Sequence, residues 1–133
     1  MDIRQFVELC DVENNFAFLP RGDLTFCNCY AKVVLASQGI FIPNIKANDL
    51  YDWIEKNTIE WFDAENDIQD VITDAKIAIV KGAKHGHIAV EVVQFSGVWT
   101  WAGTHNRKAG RLTESFGAMK PTIFYHISNE NTN

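Results

Sequence analysis

The sequence predicts an α+β domain in which N-terminal helices pack on a C-terminal antiparallel sheet. Two patterns carry this prediction. Through residue 75, apolar residues recur at spacings of three and four, the period of a helix face. From residue 77 onward they gather in short runs rich in Val and Ile, bounded by Gly, Ser and Pro, as strands do. Helical patterns first and strand patterns second are the signature of α+β rather than alternating α/β architecture. A chain of 133 residues, 47% of them hydrophobic, is enough for one core and too short for two, so 1–133 reads as a single domain.

The elements follow in order. Ile3, Phe6 and Val7 form the stripe of a short first helix. The segment 27–38 is the clearest helix, because Cys27, Tyr30, Ala31, Val34 and Leu35 fall at i, i+3, i+4, i+7 and i+8. Cys29 and Val33 widen that stripe until the helix is apolar nearly all round, which places it in the interior. Thr25 is its expected N-cap and Gly39 its expected stop. Asn48, Leu50, Trp53 and Ile54 predict another helix. Ile68, Val71, Ile72 and Ala75 predict one more, with Asn66 as its cap. Strands are expected at 77–80, 87–95, 98–101 and 121–127, and the Ser96-Gly97 turn makes 87–101 a hairpin. Glu91, between apolar neighbours, is expected to face solvent. His126 is expected to be structural, and the tail 128–133 (SNENTN) to fray.

Charge and composition exclude several classes of function. With 12 Lys+Arg against 17 Asp+Glu the net charge is −5, and no basic stripe exists to neutralise phosphates. Nucleic acid is therefore not an expected partner, nor is an anionic membrane surface. No apolar run approaches the roughly 20 residues of a transmembrane helix. The start, MDIRQFVELC, lacks the basic and apolar regions of a classical signal peptide, so synthesis in the cytoplasm is expected. The three cysteines, Cys10, Cys27 and Cys29, are an odd number and argue against a disulfide framework.

Cys27 is the first candidate for chemistry. A thiol in the first turn of a helix meets unpaired backbone N–H groups and the positive end of the helix dipole, which favour a thiolate. The plain alternative is a small buried core residue, since free cysteine is among the most buried residue types. His87 follows Gly86 and opens an apolar strand, so it is held rigidly where it can face a helix terminus; the plain alternative is a pair of exposed histidines, His85 and His87. Cysteine followed by histidine suits a thiol–imidazole mechanism. Cys27-x-Cys29 and His85-x-His87 also suggest a Cys₂His₂ zinc site, but residues two apart on a helix diverge by about 200°. No metal is therefore assigned. Trp53, Trp61, Trp99 and Trp101 are candidates to line a sugar-binding groove, set against the commoner role of core filling. Trp99 and Trp101 share a strand face and are assigned to substrate binding.

Four stretches in order resemble a known family. They are Thr25-Phe26-Cys27-Asn28 before an apolar helix ending in Gln38-Gly39; Ile42-Pro43 followed by Ala47-Asn48-Asp49-Leu50-Tyr51-Asp52-Trp53; Gly86-His87-Ile88-Ala89-Val90; and Ala102-Gly103-Thr104-His105-Asn106. The chain is similar in these to papain-like cysteine peptidoglycan hydrolases, the NlpC-type and CHAP-type amidases and endopeptidases of phage lysins and antibacterial effectors. The resemblance spans residues 25 to 126. It implies a papain-like fold, a single catalytic domain, cleavage of an amide bond in peptidoglycan, and no cofactor. Cys27 matches the nucleophile and His87 the general base. For the third residue the resemblance points to the end of the following strand. Asn106 is preferred, because its amide oxygen can accept the imidazole N–H, with His105 and Thr104 as runners-up. Many relatives carry a polar residue where this chain has Trp101. Such an enzyme would reach the wall after lysis or delivery, and a delivered effector would have an immunity protein as partner. Two other classes remain open: a non-catalytic papain-like or inhibitor-like binding module, and a protein-modifying deamidase or transferase of the same fold.

Overall fold

A computed structural model describes residues 1–63, 72–92 and 96–128. The chain begins with α1 (Ile3–Cys10). The Asp2 carboxylate accepts the Gln5 N–H at 2.8 Å while the Gln5 side chain accepts the Asp2 N–H at 3.0 Å, a reciprocal box that satisfies two otherwise unpaired donors. After a loop that buries Val12 and Phe18 comes α2 (Cys27–Ala36). Its buried residues are Cys27, Tyr30, Ala31, Val34 and Leu35, the stripe read from the sequence. Beyond it Gly39 takes a left-handed φ of 77°, which a glycine tolerates best, and the Ile40 N–H closes back on the Leu35 carbonyl. The third helix, α3 (Ala47–Lys56), buries Ala47, Leu50 and Ile54.

Among the described residues six strands follow: β1 (Trp61–Asp63), β2 (Thr73–Val80), β3 (His87–Glu91), β4 (Trp99–Trp101), β5 (Arg107–Gly110) and, after the short helix α4 (Leu112–Phe116), β6 (Thr122–Ile127). They form one sheet in the order β1-β6-β2-β3-β4-β5, every pairing antiparallel. The molecule is thus α+β. Ala75 lies in β2, where a helix was expected: it is buried and pairs with His126 of β6, and Ala75, Ile77 and Ile79 alternate along the strand. The strand period over Thr73–Val80 prevails over the helical spacing read there. Asn66, Ile68 and Val71 of that expected helix lie outside the described residues, as do 129–133 of the tail.

Alternation gives the sheet two buried faces. Ile77, Ile79, Ile88 and Val90 join the residues of α1, α2 and α3 in the main core. Ala78, Ala89, Trp99 and Trp101 point the other way, and Phe116 of α4 covers them in a second, smaller core. Tyr30 on α2 reaches the sheet through a buried hydroxyl contact with Thr100 at 2.7 Å. Glu91 also belongs to the second face and is 4% exposed, not solvent-facing as expected; Lys76 pairs with it at 3.1 Å, because two covered faces leave a central strand no wet side. His126 is buried, with its Nδ1 2.7 Å from Asp74 and its ring edge-on to Trp61. Among the described residues no helix is long and apolar enough to cross a membrane.

Candidate active site

Cys27 is the first residue of α2. Thr25 does not cap this helix, contrary to expectation. Phe26 holds the N-cap position and offers no side-chain acceptor, so the first-turn N–H groups are left to other partners. The thiol sits against the backbone N–H groups of Asn28, of Cys27 itself and of Ile88 on β3, each of which favours the thiolate. Burial opposes them and dominates, raising the thiol above its ordinary range. At neutral pH Cys27 is a thiol, aimed at the start of β3.

His87 opens β3, and the preceding turn holds it there. The Asn48 side chain bonds both the carbonyl of Gly82, at 2.9 Å, and its N–H, at 3.1 Å, tying the β2–β3 turn to α3. Gly86 sits where a side chain would press on the Val80 carbonyl and on Asn48. The His87 ring shares the sheet face of Ala89 and lies against Phe116, with ring centroids 4.9 Å apart. Its Nε2 is 2.7 Å from the Ser115 hydroxyl on α4, while Nδ1 has no hydrogen-bond partner among the described residues. Burial lowers the imidazole to about 4, so the ring is neutral at pH 7. No hydrogen bond joins Cys27 to His87; the thiol faces the N–H of Ile88, the next residue along β3, while the His87 ring lies against α4.

Two open clefts meet between them. One, of about 540 Å³, is lined by Cys27, Asn28, Asn44, Lys46 and Asn48. The other, of about 620 Å³, is lined by His87, Trp101, Gly103, His105 and Ser115. Asp23, Thr25, Lys84, His85 and Gly86 line both, so a single extended ligand could touch the thiol side and the imidazole side at once.

Asn106 does not reach the imidazole, and its assignment as the third residue is corrected. Its Nδ2 donates to the carbonyls of Val12, at 2.9 Å, and Phe18, at 2.7 Å, while its Oδ1 accepts the Gly103 N–H at 2.8 Å. These bonds consume the amide in pinning the N-terminal loop to the turn after β4. Its effect on His87 is indirect, through Gly103, which packs against the ring. The runners-up Thr104 and His105 are exposed and make no bond to His87. The residue bonded to the ring is Ser115, which sequence reasoning missed. It stands 28 positions from His87 in a five-residue helix with no motif, and only the tertiary fold brings it there.

Trp99 and Trp101 are likewise corrected as an exposed binding ridge. They share a strand face as expected, but it is the face under α4, and they are only 5% and 4% exposed. The Trp101 Nε1 donates to the His105 carbonyl at 2.8 Å, and its ring lies on Gly110 of β5. Trp101 forms part of a cleft wall; Trp99 lies in the core. All three cysteines are free, and among the described residues no three His, Cys, Asp or Glu side chains gather as metal ligands do. Comparisons with protein-family models, with curated proteins and with solved structures return no match.

Proposed function

We propose that this chain is a papain-like thiol hydrolase that cleaves an amide bond of bacterial peptidoglycan, with Cys27 as nucleophile and His87 as general base. One observation carries the reading: a thiol in the first turn of a buried helix lies against the N–H of Ile88, beside the histidine that opens β3, where two clefts meet. The resemblance of four sequence stretches supplies the substrate class.

The chemistry follows from the protonation states. A neutral imidazole can take the thiol proton, and Nδ1 is the nitrogen left unbonded to receive it. The sulfur then attacks the amide carbonyl. The oxyanion that forms is stabilised by first-turn N–H groups of α2, which no side chain caps. Collapse breaks the C–N bond, and the imidazolium returns its proton to the leaving amine. Water, deprotonated by His87, hydrolyses the thioester and restores the thiol. Such an enzyme acts on the wall after lysis or delivery; if it is a delivered effector, an immunity protein is its expected partner.

The test is mass analysis of purified peptidoglycan after digestion, wild type beside Cys27→Ala. New amide-cleavage products with wild type alone support the reading, and identical product profiles sink it. One observation favours a second reading, a non-catalytic module: burial keeps the thiol protonated, and the ring bonds Ser115 rather than sulfur. In that case peptidoglycan binding survives Cys27→Ala and no products form.

A further inference from the structure

We propose that Ser115 is the positioning residue of the site: its hydroxyl accepts the Nε2–H of His87, fixing the tautomer that leaves Nδ1 free to take the thiol proton. The inference rests on reading Cys27 and His87 as a thiol–imidazole pair. The geometry that carries it is the 2.7 Å contact between Nε2 and the Ser115 Oγ, together with the absence of any bond to Nδ1 among the described residues. A neutral imidazole has one donor and one acceptor nitrogen; a hydroxyl can serve either way, and with Ser115 as the acceptor at Nε2 the acceptor nitrogen of the ring is Nδ1. Phe116, the next residue on α4, packs on the ring, so the same short helix fixes its position as well as its tautomer.

A hydroxyl differs from a carboxylate in that position. It orients the ring without adding negative charge, so it stabilises the imidazolium less. The charged and titratable groups around the ring do not supply that charge. Asp23, Lys84, His85, His105 and Glu114 line the same cleft, Cys27 lies beyond Ile88, and Glu91 sits farther along β3. Glu114 is engaged by Arg107 at 2.7 Å. Burial is what holds the imidazole down. A carboxylate at position 115 should therefore convert a neutral site into an ion-paired one.

The experiment is nitrogen NMR of imidazole-labelled protein, wild type beside Ser115→Ala, Ser115→Thr and Ser115→Asp, with turnover on peptidoglycan across pH. In wild type His87 should be the Nε2–H tautomer, titrating near 4. Ser115→Thr should keep that tautomer. Ser115→Ala should mix the two tautomers and lower kcat by about 10–10⁴-fold, the range for lost orientation and proton transfer, with KM little changed. Ser115→Asp should raise the histidine midpoint by about 1–3 units and move the acidic limb of the rate profile to higher pH, whereas a purely structural defect would lower the rate at every pH and leave that limb in place. A wild-type His87 carrying its proton on Nδ1 overturns the assignment, and that measurement needs no variant to fold. So does a Ser115→Ala protein with an unchanged tautomer and kcat. A wild type inactive on peptidoglycan but held as the Nε2–H tautomer by Ser115 sinks the hydrolase reading and leaves the positioning role standing.

Discussion

At the residue scale, the site is governed by two opposed effects of burial. Cys27 gains three backbone N–H neighbours by lying at the start of α2, yet the same enclosure removes water and keeps the proton on sulfur. His87 loses water too, and for a base the sign reverses, so the ring stays neutral. This has a consequence for stability. The folded pKa is lowered from the ordinary 6.5 to about 4, so as pH falls the unfolded chain takes up the proton first. The stabilisation is fully present above 6.5 and is lost as pH falls toward 4, at up to about 1.4 kcal/mol per pH unit. His87→Gln should remove that slope. Urea unfolding of both proteins at pH 7.5, 6 and 5 checks it: the wild-type advantage should shrink with each step down, and parallel curves would mean the ring is not held neutral. That Cys27 starts a helix and His87 a strand was readable in the sequence, because both are local patterns. Ser115 was not, because nothing local in Leu112–Phe116 distinguishes a serine that meets a histidine from one that meets water.

At the scale of elements, what is legible depends on length. Ten residues of α2 display nearly three turns of stripe, and β3 declares itself by the continuous apolar run Ile88-Ala89-Val90. β1 has three residues, β5 four and α4 five, fewer than the window in which a period can be recognised. Those unread elements matter, since β5 and α4 cover Trp99 and Trp101 and deliver Ser115. The β2–β3 turn shows how one element places His87, the proposed base. α3 grips it through Asn48, and Gly86 fits only because it has no side chain: a Cβ would lie 2.7 Å from the Asn48 Oδ1 and would also press into the Val80 carbonyl. Gly86→Ala must therefore push the head of β3 away from α3. The expected cost is about 1–3 kcal/mol of stability, as for other overpacked sites. Turnover should fall by about 10²-fold or more, since a displacement near 1 Å at a reacting group has that effect. Chemical denaturation and single-turnover kinetics together check this; unchanged values for both would mean that the turn yields without moving His87.

At the scale of the whole molecule, a sheet with two covered faces explains why the aromatic residues do not form a binding ridge. The main core under α1, α2 and α3 places Cys27, while the smaller core under α4 places His87 and Ser115, and the strand that separates them is β3. The candidate site therefore spans the end of the sheet, with Cys27 held by one core and His87 by the other, and its geometry depends on both. Trp101 is a test of this dependence. Alternation correctly pairs it with Trp99 on one face, but whether a face is wet or dry is decided by what packs on it, which no strand period encodes. As part of the second core, Trp101→Ala should cost about 3–5 kcal/mol, a large share of the roughly 5–15 kcal/mol by which domains are stable. The indole bond to the His105 carbonyl would be lost as well, loosening the turn that carries Gly103 against the imidazole. Trp101→Phe should keep much of the packing and lose that bond, giving an intermediate melting temperature. A groove residue would behave in the opposite way: the alanine variant would melt like wild type and bind peptidoglycan more weakly. Thermal unfolding of the two variants, read beside their sedimentation with purified peptidoglycan, separates the outcomes, and an unshifted melting temperature for Trp101→Ala would return Trp101 to the role of a surface ligand.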